Sequence, residues 1–154
     1  MPRLSAGLLM YRVKDGVLQV LLAHPGGPYF VNKDDGAWSI PKGEPDADED
    51  LLLTAQREFE EETGVKPTGP FISLKPIKQK GGKVVDAWAF EGDCDAAAAK
   101  SNTFTMEWPP KSGKKQEFSE IDRAEWFDLA TARTKIKAGQ EGLIDALERL
   151  LKLE

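Results

Sequence analysis

The sequence predicts an α/β or α+β sandwich, and three observations carry that expectation. The amino-terminal residues 5–13 and 17–23 are rich in Leu, Val and Tyr and flank the turn-like Lys14, Asp15 and Gly16, so they read as a β-hairpin. Residues 48–63 are strong helix formers with an acidic start that suits the helix dipole and with Gly64 placed to end the helix. At the carboxyl end Leu143, Ala146, Leu147, Leu150 and Leu151 recur at the spacing of an amphipathic helix.

The remaining elements follow in order. Residues 24–36 carry Gly26, Gly27, Pro28 and the pair Asp34-Asp35 and read as a long loop; Trp38 to Ile40 form a short apolar segment that stops at Pro41-Lys42-Gly43. In the central helix Leu52, Ala55 and Phe59 form the apolar stripe. Residues 71–79 and 83–91 are expected as strands around the turn at Gly81-Gly82, and the alanine-rich residues 93–102 have no predicted conformation. Residues 103–108 read as a strand, 109–115 as an exposed loop, and 123–129 as a last strand containing Trp126 and Phe127. No internal repeat is present.

At 154 residues and 40% hydrophobic composition the chain is expected to form one domain over residues 1–154 with a real core. No apolar run approaches the length of a membrane span or a signal-peptide core, so a soluble, cytoplasmic protein is expected. Cys94 is the only cysteine and His24 the only histidine, which excludes an internal disulfide and any cysteine- or histidine-rich zinc site. A bound metal must therefore sit mainly on oxygen. Acidic residues outnumber basic ones by 26 to 21, which speaks against general nucleic-acid binding while leaving small anions open as ligands.

Glu58, Glu61 and Glu62 stand at i, i+3 and i+4, so a helix puts their carboxylates on one face, where like charges repel. Placed in the carboxyl-terminal half of the helix they also oppose its dipole. A solvated acidic face is one reading of such a run; a site for hard divalent cations is the other. The spacing around the run selects the second. Gly43, Glu49, Arg57, Glu58, Phe59, Glu61, Glu62, Gly64 and Val65 occupy nine defined positions of a 23-residue pattern, the Nudix box, and on these residues the chain resembles the Nudix hydrolase superfamily. Trp38, Pro41 and Lys42 before the box and residues 120–129 after it extend the resemblance.

The resemblance implies an α/β/α sandwich with a mixed central sheet and a carboxyl-terminal helix, and a pyrophosphohydrolase that needs Mg²⁺ or Mn²⁺. It implies that Glu58, Glu61 and Glu62 bind the metal, with the Gly43 carbonyl as a further ligand and Glu49 nearby. Arg57 is similar to the family's orienting arginine, whose planar fork holds a glutamate in one position. The general base is either Glu58 or a carboxylate on a later loop, for which Glu120 is preferred to Glu117. Lys42 is expected to reach a substrate phosphate, and Tyr29, Phe30 or Trp88 to stack on a base. His24 reads as structural, the lysines at 78, 80 and 83 as a solvated hairpin tip, and Cys94 as unreactive.

The expected substrate is a small nucleotide. The segment Trp38-Ser39-Ile40-Pro41-Lys42-Gly43 is similar to the lead-in of Nudix enzymes that act on dinucleoside polyphosphates, which implies asymmetric cleavage of diadenosine tetraphosphate. Gly139-Gln140-Glu141-Gly142-Leu143 resembles the closing helix of that group. Hydrolysis of nucleoside triphosphates or nucleotide sugars is the alternative enzymatic reading, and a nucleotide-sensing module without catalysis is the non-enzymatic one.

Overall fold

A computed structural model describes residues 3–152, the side chain of Lys80 excepted. The amino-terminal hairpin forms as expected: β1 (Leu4–Lys14) and β2 (Val17–Pro25) pair antiparallel across Asp15 and Gly16, whose φ values of 53° and 80° are those of a two-residue turn. β1 is buried from Ala6 to Met10, an unbroken apolar run that marks a strand covered on both faces. Two layers of helix supply the cover, making the fold an α/β/α sandwich.

The sheet order is β4 (Ile72–Ser73), β6 (Val84–Glu91), β1, β2, β9 (Ile121–Asp128). β6 runs parallel to β1 and the other pairs are antiparallel, so the sheet is mixed. On one face α1 (Leu51–Thr63) lays Ala55 and Phe59 on Ala6, Leu8, Met10, Leu21 and Phe90. On the other, α2 (Leu129–Lys135) and α3 (Glu141–Lys152) cover Leu9, Val20, Leu22, Val85 and Ala87 with Ala132, Leu143, Ile144 and Leu147. Each fully buried leucine there contributes about 1.5–3 kcal/mol.

Several elements depart from the sequence reading. The strand expected over residues 71–79 is two fragments, β4 and β5 (Ile77–Lys78), both on β6. Between them Lys75 adopts φ 70° and Pro76 has no N–H to give a ladder. α1 begins at Leu51 rather than near residue 48, because the Asp50 carboxylate accepts from the Leu53 N–H and Asp48 takes φ 61°. β7 (Thr103–Glu107) does not join the main sheet; it pairs with β8 (Lys115–Ser119), a polar strand that no apolar alternation announces, to form a separate ribbon. α2 is only seven residues long and buries Ala132 alone, so its pattern is invisible without its neighbours.

A close approach of backbone to backbone fixes the segment that leads into α1. β3 (Lys42–Gly43) pairs with Ala6 and Gly7 of β1, and a Cβ on Gly7 would meet the Pro41 carbonyl oxygen at 2.5 Å and the Lys42 Cβ at 2.7 Å. Glycine at residue 7 lets this segment lie against the amino-terminal half of β1, next to α1.

Candidate active site

α1 presents its acidic residues to β3, and Arg57 organises them. Its Nε and Nη2 donate to the two oxygens of Glu49 at 3.0 and 2.8 Å, a bidentate pair, while Nη1 donates to Glu58 at 2.8 Å and to Glu61 at 3.0 Å. Nη2 also donates to the Glu44 carbonyl at 3.2 Å. The i, i+4 pair with Glu61 is thus one of five hydrogen bonds that Arg57 donates. The Arg57 fork, the Asp46 N–H and the Thr54 hydroxyl together hold the Glu49 carboxyl down at about 2.

Glu58 lies beneath this fork against Gly43: a Cβ at residue 43 would overlap the whole Glu58 carboxylate. Burial raises the Glu58 carboxyl above its ordinary range, the Arg57 hydrogen bond opposes that, and the charges of Glu61 and Glu120 add to it. Gly43→Ala is therefore expected to displace Glu58 and lower kcat at least about tenfold with a modest loss of Tm. Side-by-side kinetics and melting of the two proteins check it, and wild-type kcat would refute it.

Glu62 is nearly buried, and it is pushed up to about 8 by burial first and then by the charge of Glu58, with Lys42 pulling the other way. Glu120 is exposed at the root of the ribbon, where its charge bears on both Glu58 and Glu62. Glu117 sits on β8 opposite Thr105. The charges of Glu58 and Glu120 thus bear on Glu62 and that of Glu120 on Glu58, while Glu61 is held by Arg57.

The donor set fits a hard dication. Every group is an oxygen, the carboxylates repel one another, and Arg57 uses one oxygen each of Glu58 and Glu61. Among the described residues no three acidic, histidine or cysteine side chains enclose an ion as they stand.

Lys42 is half-buried and lines a pocket of about 150 Å³ with Glu62, Ser39, Ile121 and Lys137. Lys137 lies just beyond α2, where its N–H donates to the Trp38 carbonyl at 2.8 Å; sequence reasoning missed it, since nothing local marks it. Burial lowers both ammonium groups, and Lys137 and Lys83 act further on Lys42. Lys83 is exposed in the turn between β5 and β6, as the hairpin-tip reading has it, and its charge bears on Lys42 and Lys137; among the described residues none of these three lysines has an ion-pair partner. Lys78 is exposed on β5. Buried Gln140 steadies the pocket wall, accepting from the Ile40 N–H at 3.1 Å and donating to the Ser39 hydroxyl at 3.0 Å.

His24 is fully buried between the Asp122 carboxylate at 2.8 Å and the Lys33 carbonyl at 2.6 Å, a structural role. Trp88 is half-buried in the layer under α1, whereas Tyr29 and Phe30 are exposed. A hollow of about 580 Å³ lies elsewhere, between Arg12, Trp126 and Cys94; burial raises the Cys94 thiol, which disfavours the thiolate.

Comparison with known proteins agrees with this layout. The NUDIX domain family model matches residues 1–147. No curated protein matches the chain. Among solved structures, a Caenorhabditis elegans Ap4A hydrolase binary complex superposes with TM-score 0.68 at 22% identity, over 97% of this chain and 99% of that one. The NUDIX domain of Shewanella oneidensis NrtR, complexed with ADP ribose, has TM-score 0.67 at 19% identity over 98% and 89%. A mutT/nudix family protein from Listeria innocua has TM-score 0.67 at 17% identity over 99% and 96%. At these identities the superpositions speak for the fold, and the family match over nearly the whole chain speaks for kinship: the chain belongs to the NUDIX domain family.

Proposed function

We propose that this Nudix pyrophosphohydrolase acts on dinucleoside polyphosphates such as diadenosine tetraphosphate, cutting them asymmetrically into a mononucleotide and a nucleoside triphosphate. The observation that carries the reading is the pocket in which Lys42 and Lys137, neither of them ion-paired among the described residues, meet Glu62. Unpaired, half-buried cations beside a carboxylate cluster match a ligand of several phosphates whose reacting end lies at the glutamates. A C. elegans protein of the same fold is an Ap4A hydrolase, which supports the choice.

Glu58, Glu61, Glu62 and the Gly43 carbonyl would hold Mg²⁺ or Mn²⁺. When bound, the dication supplies charge to the phosphate oxygens and lowers the pKa of a bound water. Arg57 orients Glu58 and Glu61, Lys42 binds a non-bridging phosphate oxygen, and Glu58 or Glu120 takes the proton of the attacking water. Glu120, exposed at the ribbon root, is free to reach an incoming water without leaving the metal face. Among the described residues no helix is long and apolar enough to cross a membrane, and the reading places the reaction in the cytoplasm.

A product assay on diadenosine tetra- and pentaphosphate, nucleoside triphosphates, ADP-ribose and a nucleotide sugar with Mg²⁺ or Mn²⁺ tests the proposal, with Glu120→Gln run alongside. The expected result is mononucleotide plus nucleoside triphosphate from the tetraphosphate, none of it in excess chelator, and kcat lowered roughly tenfold or more in Glu120→Gln. Selective hydrolysis of ADP-ribose, which the NrtR NUDIX domain binds, would replace this substrate with that one. Binding without turnover of any substrate would favour a sensing module. NrtR also has a structure with a 27mer DNA; for this chain the net charge of −5 places long nucleic acid outside the proposal.

A further inference from the structure

The loop after β2 and the β7–β8 ribbon stand apart from the carboxylates and the lysine pocket, yet they are built as one unit rooted at Glu120. The register runs from Thr103 opposite Ser119 to Glu107 opposite Lys115, so the ribbon carries the chain about 14 Å from its root. The loop keeps to the same path. The Gly26 N–H donates to the Glu120 carbonyl at 2.8 Å, a Cβ on Gly27 would stand 3.0 Å from the Phe104 ring, and Tyr29 meets Trp108 edge to face at 5.2 Å and 80°. The tip is ordered: the Glu107 carboxylate accepts from the Lys111 and Gly113 N–H groups at 3.2 and 2.9 Å, and the Gln116 side chain donates to the Trp108 carbonyl at 2.9 Å.

This ordered construction ends in uncovered apolar surface. Tyr29 is 59% exposed and Val31 61%, beside half-buried Trp108. Lys111, Lys114 and Lys115 follow Trp108 in the chain and are exposed, and among the described residues none of them has an ion-pair partner. An aromatic pair on the same ribbon tip as exposed, unpaired cations suits a flat, phosphorylated ring.

We propose that Tyr29 and Trp108 hold the second nucleobase of a dinucleoside polyphosphate, the one at the far end of the phosphate chain from the carboxylates, with Lys111 and Lys114 on its adjoining phosphates. The inference rests on the dinucleoside polyphosphate being the substrate. The occupant is set by continuity, since one wall of the ribbon leads from Glu120 to the pair. A single nucleoside diphosphate held at Glu62 does not span that length, whereas a nucleoside joined through a longer phosphate chain does.

The experiment compares kcat/KM for diadenosine tetraphosphate with kcat/KM for adenosine tetraphosphate, which ends in a bare phosphate, in wild type, Trp108→Ala, Tyr29→Ala and Trp108→Phe. Both sites of substitution lie outside the core, and melting curves confirm that each variant is folded. The expected result is a roughly tenfold fall in the preference for the dinucleotide in each alanine variant, expressed in KM rather than kcat, with most of it restored by Trp108→Phe. An unchanged preference in both alanine variants, or equal losses on both substrates, overturns the second base site and leaves the substrate assignment standing. Failure of wild type to cleave the dinucleotide at all overturns both.

Discussion

Glu62→Gln is expected to lower turnover by at least about a hundredfold while making the metal-free protein more stable at pH 8. Glu62 is buried beside Glu58, and its carboxyl in the folded chain ionises near 8 against an ordinary 4.5. Between those values the unfolded chain has already lost this proton and the folded chain keeps it. The side chain therefore lowers stability progressively as pH rises from about 4.5 to about 8, in the absence of metal. Glutamine carries no such titration, so the variant's Tm declines less than that of wild type over this window, the raised Glu58 carboxyl keeping part of the slope. The same proton is displaced when a dication binds, and Mg²⁺ titration of wild type at pH 7 is expected to release most of one proton into the buffer. Calorimetry in two buffers of different ionisation enthalpy, beside melting curves at pH 5 and 8, checks both parts. Equal proton release from Glu62→Gln would contradict the assignment.

Arg57→Lys is the second large effect, with kcat expected to fall about a hundredfold although the charge is kept. A single ammonium cannot make the bidentate contact with Glu49 and at the same time bridge Glu58 and Glu61, which the guanidinium does with bonds of 2.8 to 3.0 Å. The requirement for Mg²⁺ should rise in parallel, because Glu58 and Glu61 are no longer held for it. An ordinary surface ion pair would change either quantity by less than about twofold, so the size of the fall separates the two roles. In acid the network also reports itself: the Glu49 carboxyl is held near 2, so the stability it lends is complete above about 4.5 and is lost as pH falls toward 2. That acid limb should shrink in the lysine variant, the Asp46 N–H and the Thr54 hydroxyl keeping the rest of it.

The amino-terminal hairpin, the central helix and the closing helix were legible because each declares itself locally. Asp15-Gly16 takes positive φ, Gly64 ends α1 at φ 77°, and Leu143 and Leu147 share a helix face. The carboxylates of the box were legible for the same reason, since i, i+3 and i+4 on one helix is a statement about a few consecutive residues. The β8 strand and α2 were not, because polar Lys115 to Ser119 and a seven-residue helix have no periodicity that survives without their partners. The strand expected at 71–79 failed at Pro76, where a missing N–H outweighed the apolar run around it.

By itself the sequence determined the family and the helix that carries the glutamates, and it set the expectation that any metal sits mainly on oxygen, all of which reside in short-range spacing and residue type. Tertiary structure alone decided which carboxylate is buried, since the elevation of Glu62 comes first from desolvation, then from the charge of Glu58 on the same helix and of Glu120 at the ribbon root. It alone brought Lys137 to Lys42 across more than ninety positions of chain and stood Trp108 against Tyr29. Contacts of that range are set by how layers pack on the sheet, and a linear pattern records the packing of no residue beyond its own element.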